Sequence, residues 1–462
     1  MSDIRNIEYA SVLKKILENG GDYADIYYEK TESTFIVCED NKVEKVISGI
    51  DAGIGLRLIK NFKTAYAYTN DPAESNLMDI ARELGGSFGS RPVPSREITL
   101  SRVKPTFLLS AAVDPTDIDV GRKIEYVMRA NDTARSHGTV RQAKVIYRDS
   151  TKNTIIANSM GVLTSETRIG TVFAVQVVSQ KNGIIQTGYE PVGGTVGFEL
   201  FDENSPEAVA QTAAQRADLM LDAVPAPAGR LPVVLSSSAG GTMIHEAVGH
   251  GLEADLAGKQ LSIYSGKIGQ KVASELITVL DDSTISGRRG SFVFDDEGTV
   301  SQRTILVEKG ILVNFMYDRL SSLKEGKEST GNGRRESYRH KPIPRMTNTI
   351  IAPGNLDPNE IISSVSRGLL VSKMGGGQVN TVNGQFVFEV SEGYLIEGGK
   401  IGRPVRGAIL TGKGPEILTE IDMVGTDLGF GIGTCGKDGQ GVPVADAQPT
   451  LRIPQITIGG RV

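Results

Sequence analysis

Apolar residues at Ile4, Ile7, Val12, Leu13, Ile16 and Leu17 recur at helical spacing, and Gly20-Gly21 closes the run, so a helix is predicted over 4–19. From 23 to 69 the pattern shortens into β-rich stretches at 24–28, 34–38, 43–48 and 53–59, with Glu39-Asp40-Asn41 as a turn. Helices are predicted near 72–84, ended by Gly85-Gly86, and over 118–136 and 206–222. Strands return over 140–190, with a hairpin through Asn182-Gly183. The stretch Val224-Pro225-Ala226-Pro227-Ala228-Gly229 reads as a linker and places a domain boundary there.

Beyond it the texture changes. A strand at 231–235 and a turn at 236–241 precede a short helix around His245. Strands at 303–307 and 311–316 flank Glu308-Lys309-Gly310, and strands at 394–397 and from 401 flank Gly398-Gly399-Lys400. Only 358–367 reads as clearly helical, with Asp357 as N-cap, Pro358 in the first position and Gly368 after the end. The expected fold is α+β. An N-terminal α/β domain (1–224) has a mixed sheet and helices, and a C-terminal β-rich domain (225–462) carries a broken metal-binding helix.

Composition narrows the function classes. Of 462 residues, 39% are hydrophobic and 23% charged, as in soluble globular proteins, and the length calls for two or three domains. A net charge of −5 gives no basic excess for a nucleic-acid partner. No apolar run approaches the ~18 residues needed to span a bilayer. Met1-Ser2-Asp3-Ile4-Arg5-Asn6 has no apolar signal region. Two cysteines, Cys38 and Cys435, make no disulfide framework, so the expected compartment is the cytoplasm.

The chemistry concentrates in His245-Glu246-Ala247-Val248-Gly249-His250. Two imidazoles with a carboxylate beside the first is the ligand-plus-base arrangement of zinc peptidases. The spacing is unusual. Residues four apart on an α-helix are about 40° apart around the axis, whereas residues five apart are about 140° apart. The helix must therefore bulge or break, and Gly249 is where a break is cheapest. A catalytic zinc also needs a third protein ligand. Glu253, Asp255, His340, His137 and Cys435 are the candidates. His137 ends a predicted helix and reads as structural, while Cys435 is the strongest. Its surroundings, Gly429-Phe430-Gly431-Ile432-Gly433-Thr434-Cys435-Gly436-Lys437, allow close backbone approach, and Lys437 would favour a thiolate.

The run from His245 to Asp255 resembles the signature of the TldD branch of the TldD/PmbA (modulator of DNA gyrase) family. Residues 331–338 through 345–349 and 435–440 with 442–444 are similar to the same family, and the resemblance spans essentially the whole chain, with the N-terminal half matching in length and strand texture only. It implies a metallopeptidase whose zinc is held by His245, His250 and Cys435, with Glu246 as the acid/base. It also implies a closed dimer cavity that receives unfolded or extended peptides. The partner would be a second copy or a metal-free sister subunit of the TldE/PmbA type.

The residues support the same chemistry. Zinc lowers the pKa of its water to about 7, and Glu246 would take the water proton and return it to the leaving amine. Donor-rich residues His340, Tyr338, Arg334 and Arg335 are candidates for the substrate or oxyanion. Gly375, Gly376 and Gly377 precede a strand at 386–390, where an extended peptide could add as a further strand. The competing class is a non-catalytic, metal-stabilised peptide-binding or assembly protein. Such a structural zinc site has four protein ligands and no use for a base at Glu246. Ser236-Ser237-Ser238 lacks a nucleophile-elbow pattern and reads as a turn.

Overall fold

In a computed structural model of the chain, the β-rich stretch from 23 to 60 forms two long strands rather than four short ones. The structure describes residue 4 and residues 7–89, 93–94, 96–105, 107 and 109–460. Of the helix expected over 4–19, Tyr9–Ile16 is helical, and residues 5 and 6 lie outside the described residues, as do Met1, Ser2 and Asp3. The N-terminal half runs α1 (Tyr9–Ile16), β1 (Tyr23–Glu39), β2 (Lys42–Lys60), β3 (Lys63–Thr69), α2 (Glu74–Gly86), β4 (Ser101–Arg102), α3 (Val120–Ser136), β5 (Val140–Asn158), β6 (Val162–Lys181), β7 (Ile184–Gly194), α4 (Leu200–Glu203) and α5 (Pro206–Leu221).

Its sheet has the order β3-β2-β1-β5-β6-β4, with β7 also on β6. The β1–β2 turn is Asp40-Asn41, both at positive φ (49° and 68°), as a tight hairpin between twisted strands requires. Asn182-Gly183 turns β6 into β7 in the same way (φ 52° and 80°). Polar residues 29–33 suggested a break in β1, yet their backbone pairs on both sides, with β2 and with β5. Glu29 shows why. It accepts from Tyr27 Oη (2.8 Å) and Lys152 Nζ (3.1 Å), so this polarity answers a polar neighbour rather than solvent.

Alternation along β1 gives the sheet two faces. Ala24 and Ile26 pack with Val12, Leu13 and Ile16 of α1 and Leu77 and Ala81 of α2. Further along, Ile36 and Cys38 pack with Val127 of α3 and Ala213 of α5. Asp25 and Tyr27 point the other way, into the C-terminal half. There Arg57 is buried between Asp25 (Nε to Oδ2, 2.7 Å) and Glu297 (Nη2 to Oε1, 2.7 Å), and Arg168 meets Asp296 at 2.8 Å. A buried charge of this kind is tolerated because it is paired.

The C-terminal half is β-rich. Strands Gly229–Leu235, Arg367–Val379, Gln385–Glu397, Ile409–Lys413 and Leu451–Gly459 close into a barrel, since Arg367–Val379 pairs with both Gly229–Leu235 and Gln385–Glu397. A six-stranded sheet lies beside it, ending in Gln440–Gln448 and the edge strand Gly429–Lys437. The segment read as a linker is tied down. Val224–Pro225 pairs with Val405 and Arg406, Ala226 donates to the Arg406 carbonyl (3.0 Å), and Gly229 begins a barrel strand.

The helix expected over 358–367 stops at Ser363, and Arg367 starts a strand. Arg319–Glu325 and Gly414–Glu420 are further helices that apolar spacing did not announce. The first is made by its ends, with Asp318 and Ser321 forming a reciprocal cap and Gly326 left-handed (φ 63°). Among the described residues no helix is long and apolar enough to cross a membrane.

Candidate metal centre

The five-residue spacing is resolved by a change of helical pitch. His245–Gly249 forms one π-helical turn, in which the His250 N–H bonds to the His245 carbonyl, and a tight turn follows over His250–Leu252. An i→i+5 turn holds more residues than the 3.6 of an α-helix, so a step of five brings the second ring back toward the side of the first. Gly249 does not break the helix, because it keeps ordinary right-handed angles (φ −53°, ψ −55°). It supplies room instead: a Cβ there would lie 2.0 Å from Met346 Sδ. Met243, Ile244, Ala247, Val248 and Leu252 fix the segment by packing into one core with Val233, Phe386 and Phe388 of the barrel and Val442 of the adjoining sheet.

Strand Gly429–Lys437 brings Cys435 across to this turn. The ligand atoms of His245, His250 and Cys435 lie within 4.8 Å of one another, with Cys435 Sγ 3.5 Å from His250 Nε2. The two rings are 5.2 Å apart and nearly perpendicular (89°). Burial pushes the Cys435 thiol up, but the adjacent His245 and His250 outweigh it and bring it down to about 5. A soft thiolate with two imidazoles in this spacing suits zinc.

Lys437, expected to favour the thiolate, makes ion pairs with two carboxylates. Its ammonium meets Asp255 (2.6 Å) and Glu253 (3.2 Å), and Glu253 Oε2 meets His250 Nδ1 at 3.1 Å. Glu253 thus stands behind a ring rather than in the ligand group, and Asp255 is farther out. His137 pairs with Asp218 (3.2 Å) in the N-terminal half.

The group lies in a cleft of roughly 540 Å³, which Glu246 also lines. Burial raises the Glu246 carboxyl above its ordinary value. One wall is the strand Gly429–Lys437, at Gly433 and Thr434. The other is the strand Arg367–Val379, at Gly377 and Val379. Its pairing with Gly229–Leu235 ends at Val371, and among the described residues the strand pairing from Lys373 to Val379 is with Gln385–Glu397 alone. Asn380 N–H donates to Gln385 O (2.8 Å), which sets the register and turns the backbone groups of Gly377 and Val379 outward. Of the three expected glycines, Gly377 reaches the cleft. Gly375 is held for packing, as a Cβ would meet Ser391 Oγ at 2.8 Å, and Gly376 is in open space.

The four expected oxyanion donors are not brought to this cleft. Arg334 donates to the carbonyls of Met346 and Pro443, and Arg335 donates to the Asp296 carbonyl (2.8 Å) and lies over the Tyr27 ring. Tyr338 Oη donates to Asp51 (3.2 Å), and His340 Nδ1 is 3.1 Å from Ser337 Oγ. Arg335 and Tyr338 thereby serve the junction with the N-terminal sheet, while Arg334 and His340 bond within the C-terminal half. Sequence reasoning passed over Asp446, whose Oδ2 lies 3.9 Å from His245 Nδ1, because a neighbouring strand supplies it.

The thiol makes a direct test. In metal-free protein, ultraviolet absorbance of the Cys435 thiolate should titrate with a midpoint near pH 5, against about 8.5 for a free cysteine. The thiolate is then present at neutral pH and lost as pH falls through 5. A midpoint at the ordinary value would separate the thiol from the two imidazoles. Burial raises Cys38, so it stays silent in that range.

Comparison with known proteins bears on the whole chain. The model described as the PmbA/TldA metallopeptidase C-terminal domain matches residues 228–460, and those for domain 1 and the central domain match 24–85 and 113–221. The metalloprotease TldD homolog of Haemophilus influenzae is 39% identical over 448 residues, which cover 95% of this chain and 93% of that protein. The zinc metalloprotease TldD homolog of Saccharolobus solfataricus is 29% identical, covering 97% and 99%. The crystal structure of TldE from Thermococcus kodakarensis shares the fold, with a TM-score of 0.75 at 19% identity, covering 97% and 99%.

Proposed function

From the premise that the chain belongs to the PmbA/TldA metallopeptidase family, we propose that it is a zinc peptidase of the HExxxH type acting on extended chains. His245, His250 and Cys435 hold the ion in this reading, and Glu246 moves the proton. The observation that supports it most is the convergence of those three donors within 4.8 Å in a cleft that Glu246 shares. The zinc in the name of the S. solfataricus relative agrees with this donor set.

Zinc bound there would lower the pKa of a water to about 7 and polarise the peptide carbonyl. Glu246 follows a ligand directly in sequence, so its carboxylate stands beside the centre without being needed in it. Burial makes it a stronger base than an exposed glutamate. It takes the proton from the attacking water and delivers it to the amine as the C–N bond breaks. The substrate lies extended, paired to the outward backbone groups of Gly377 and Val379 beside Gly375 and Gly376. Backbone pairing makes few demands on side chains, which suits a peptidase for unfolded chains.

Residues 225–462 form the catalytic zinc domain in this proposal, and residues 1–224 serve pairing and enclosure. The partner is a second copy or a metal-free sister subunit of the TldE/PmbA type, a possibility supported by the shared fold with TldE. Enclosure would protect folded proteins in the cytoplasm. Light scattering on the purified chain, alone and co-expressed with a sister chain, should give the mass of a dimer. Digestion of one substrate in both states should cut the unfolded form and spare the folded form. A monomer that cuts both at equal rates ends the enclosure proposal and leaves the metallopeptidase family membership untouched.

A further inference from the structure

Behind the candidate ligands, the two histidines are held very differently. Glu253 has no solvent exposure, and its Oε2 is 3.1 Å from His250 Nδ1. By contrast, His245 Nδ1 is buried without a hydrogen bond among the described residues. The nearest carboxylate, Asp446, is 3.9 Å away through Oδ2 and accepts from Gly241 N–H (3.0 Å) through Oδ1.

We propose that Glu253 and Lys437 are positioning residues of the metal centre, which fix the His250 ring in its ligating orientation and leave His245 as the adjustable arm. The inference rests on the zinc reading above. A ring that ligates through Nε2 carries its proton on Nδ1, and that proton needs an acceptor whose place does not depend on the ring. Glu253 meets this condition. The chain leaves the helical segment at Glu253 (φ −76°, ψ 122°) and is pinned on both sides to one residue. Met316 N–H donates to the Leu252 carbonyl (2.8 Å), and Ala254 N–H donates to the Met316 carbonyl (3.0 Å).

Lys437 ties this acceptor to the other ligand. It lies two residues after Cys435 on one strand, so both side chains leave the same face. Its ammonium has three acceptors: Asp255 (2.6 Å), Glu253 (3.2 Å) and the Pro344 carbonyl (3.1 Å). One strand face therefore supplies both the thiolate and the cation that holds the carboxylate behind His250. The distance between Cys435 and His250 is set by a clamp outside the ligand group, so this half of the site exists before the ion arrives. Among the described residues no equivalent clamp reaches His245.

Zinc titration against a chromophoric chelator, together with cobalt(II) absorption spectra, tests the inference without an activity assay. Glu253→Ala should bind zinc on the order of 10- to 100-fold more weakly than wild type. Its cobalt bands should shift, while the thiolate-to-cobalt charge-transfer band persists. Glu253→Gln, whose amide oxygen can still accept from Nδ1–H, should recover most of the affinity. Lys437→Met should fall between Glu253→Ala and wild type, and Asp446→Ala should lose less than Glu253→Ala. If Glu253→Ala does not fold, Glu253→Asp serves: the shorter acid withdraws its carboxylate from Nδ1 and should weaken zinc binding likewise. Wild-type affinity with an unchanged cobalt spectrum in the folded variant overturns the proposal. Failure of the zinc reading looks different, because wild-type protein would then bind no zinc, or His250→Ala would bind it fully.

Discussion

Purified Cys435→Ala protein should carry almost no zinc and cleave no peptide. The thiol is one of three donors that converge within 4.8 Å, and no fourth His, Cys, Asp or Glu joins that group among the described residues. With a ligand gone, two imidazoles remain, one of them without a carboxylate in hydrogen-bonding reach. His245→Ala and His250→Ala should behave alike. Elemental analysis makes the comparison, with Cys38→Ala as the control. Cys38 is fully buried in the N-terminal core beside Met128, so its loss should leave zinc content unchanged. Full zinc occupancy in Cys435→Ala would remove the thiol from the ligand set.

The Glu246→Gln protein should keep its zinc and its fold, yet turn over peptide at least about 100-fold more slowly. The amide matches the carboxylate in size but cannot take a proton from water at neutral pH. Glu246 is half-buried on the cleft wall, so the change leaves the apolar packing of Ala247 and Val248 intact. Wild-type turnover would remove Glu246 as the base. Loss of zinc would instead point to a role in holding the ion. Measuring metal content and rate on the same sample keeps these outcomes apart.

Much of the architecture was legible where local rules act. Asn182-Gly183 and Asp40-Asn41 mark turns because few residues tolerate positive φ. The helices expected over 118–136 and 206–222 form over Val120–Ser136 and Pro206–Leu221, and the side chains of Asp119 and Ser205 cap them. Among the candidate metal ligands, His245 and His250 were legible for another reason: a helical spacing that fails for an α-helix demands a distortion, and a π turn provides it. Legibility stopped where partners are distant in sequence. Arg334, Arg335 and Tyr338 show reactive donors on the page, but Met346, Asp296 and Asp51 take them in the fold. The polar stretch in β1 was misread as interruptions because part of what pairs with it, β5 and the Lys152 ammonium, comes from over 100 positions away. Lys437 was read as favouring the thiolate, and the anions it meets, Glu253 and Asp255, come from another element.

The buried ions between the sheet and the barrel half bear on how this chain can be divided. Arg57 uses Asp25 from its own half and Glu297 from the other, and Arg168 uses Glu166 and Asp296 in the same manner. Separation at residue 224 would strip each fragment of counter-ions and leave Glu297 and Asp296 without their arginines. A fragment carrying only the candidate metal ligands would therefore expose unpaired charges of both signs where the sheet had been: Glu297 and Asp296, and also Arg335 and Arg339, whose partners Asp25 and Asp51 leave with the sheet. Expression of the C-terminal part by itself should give material that depends on the N-terminal part, added in trans, for solubility.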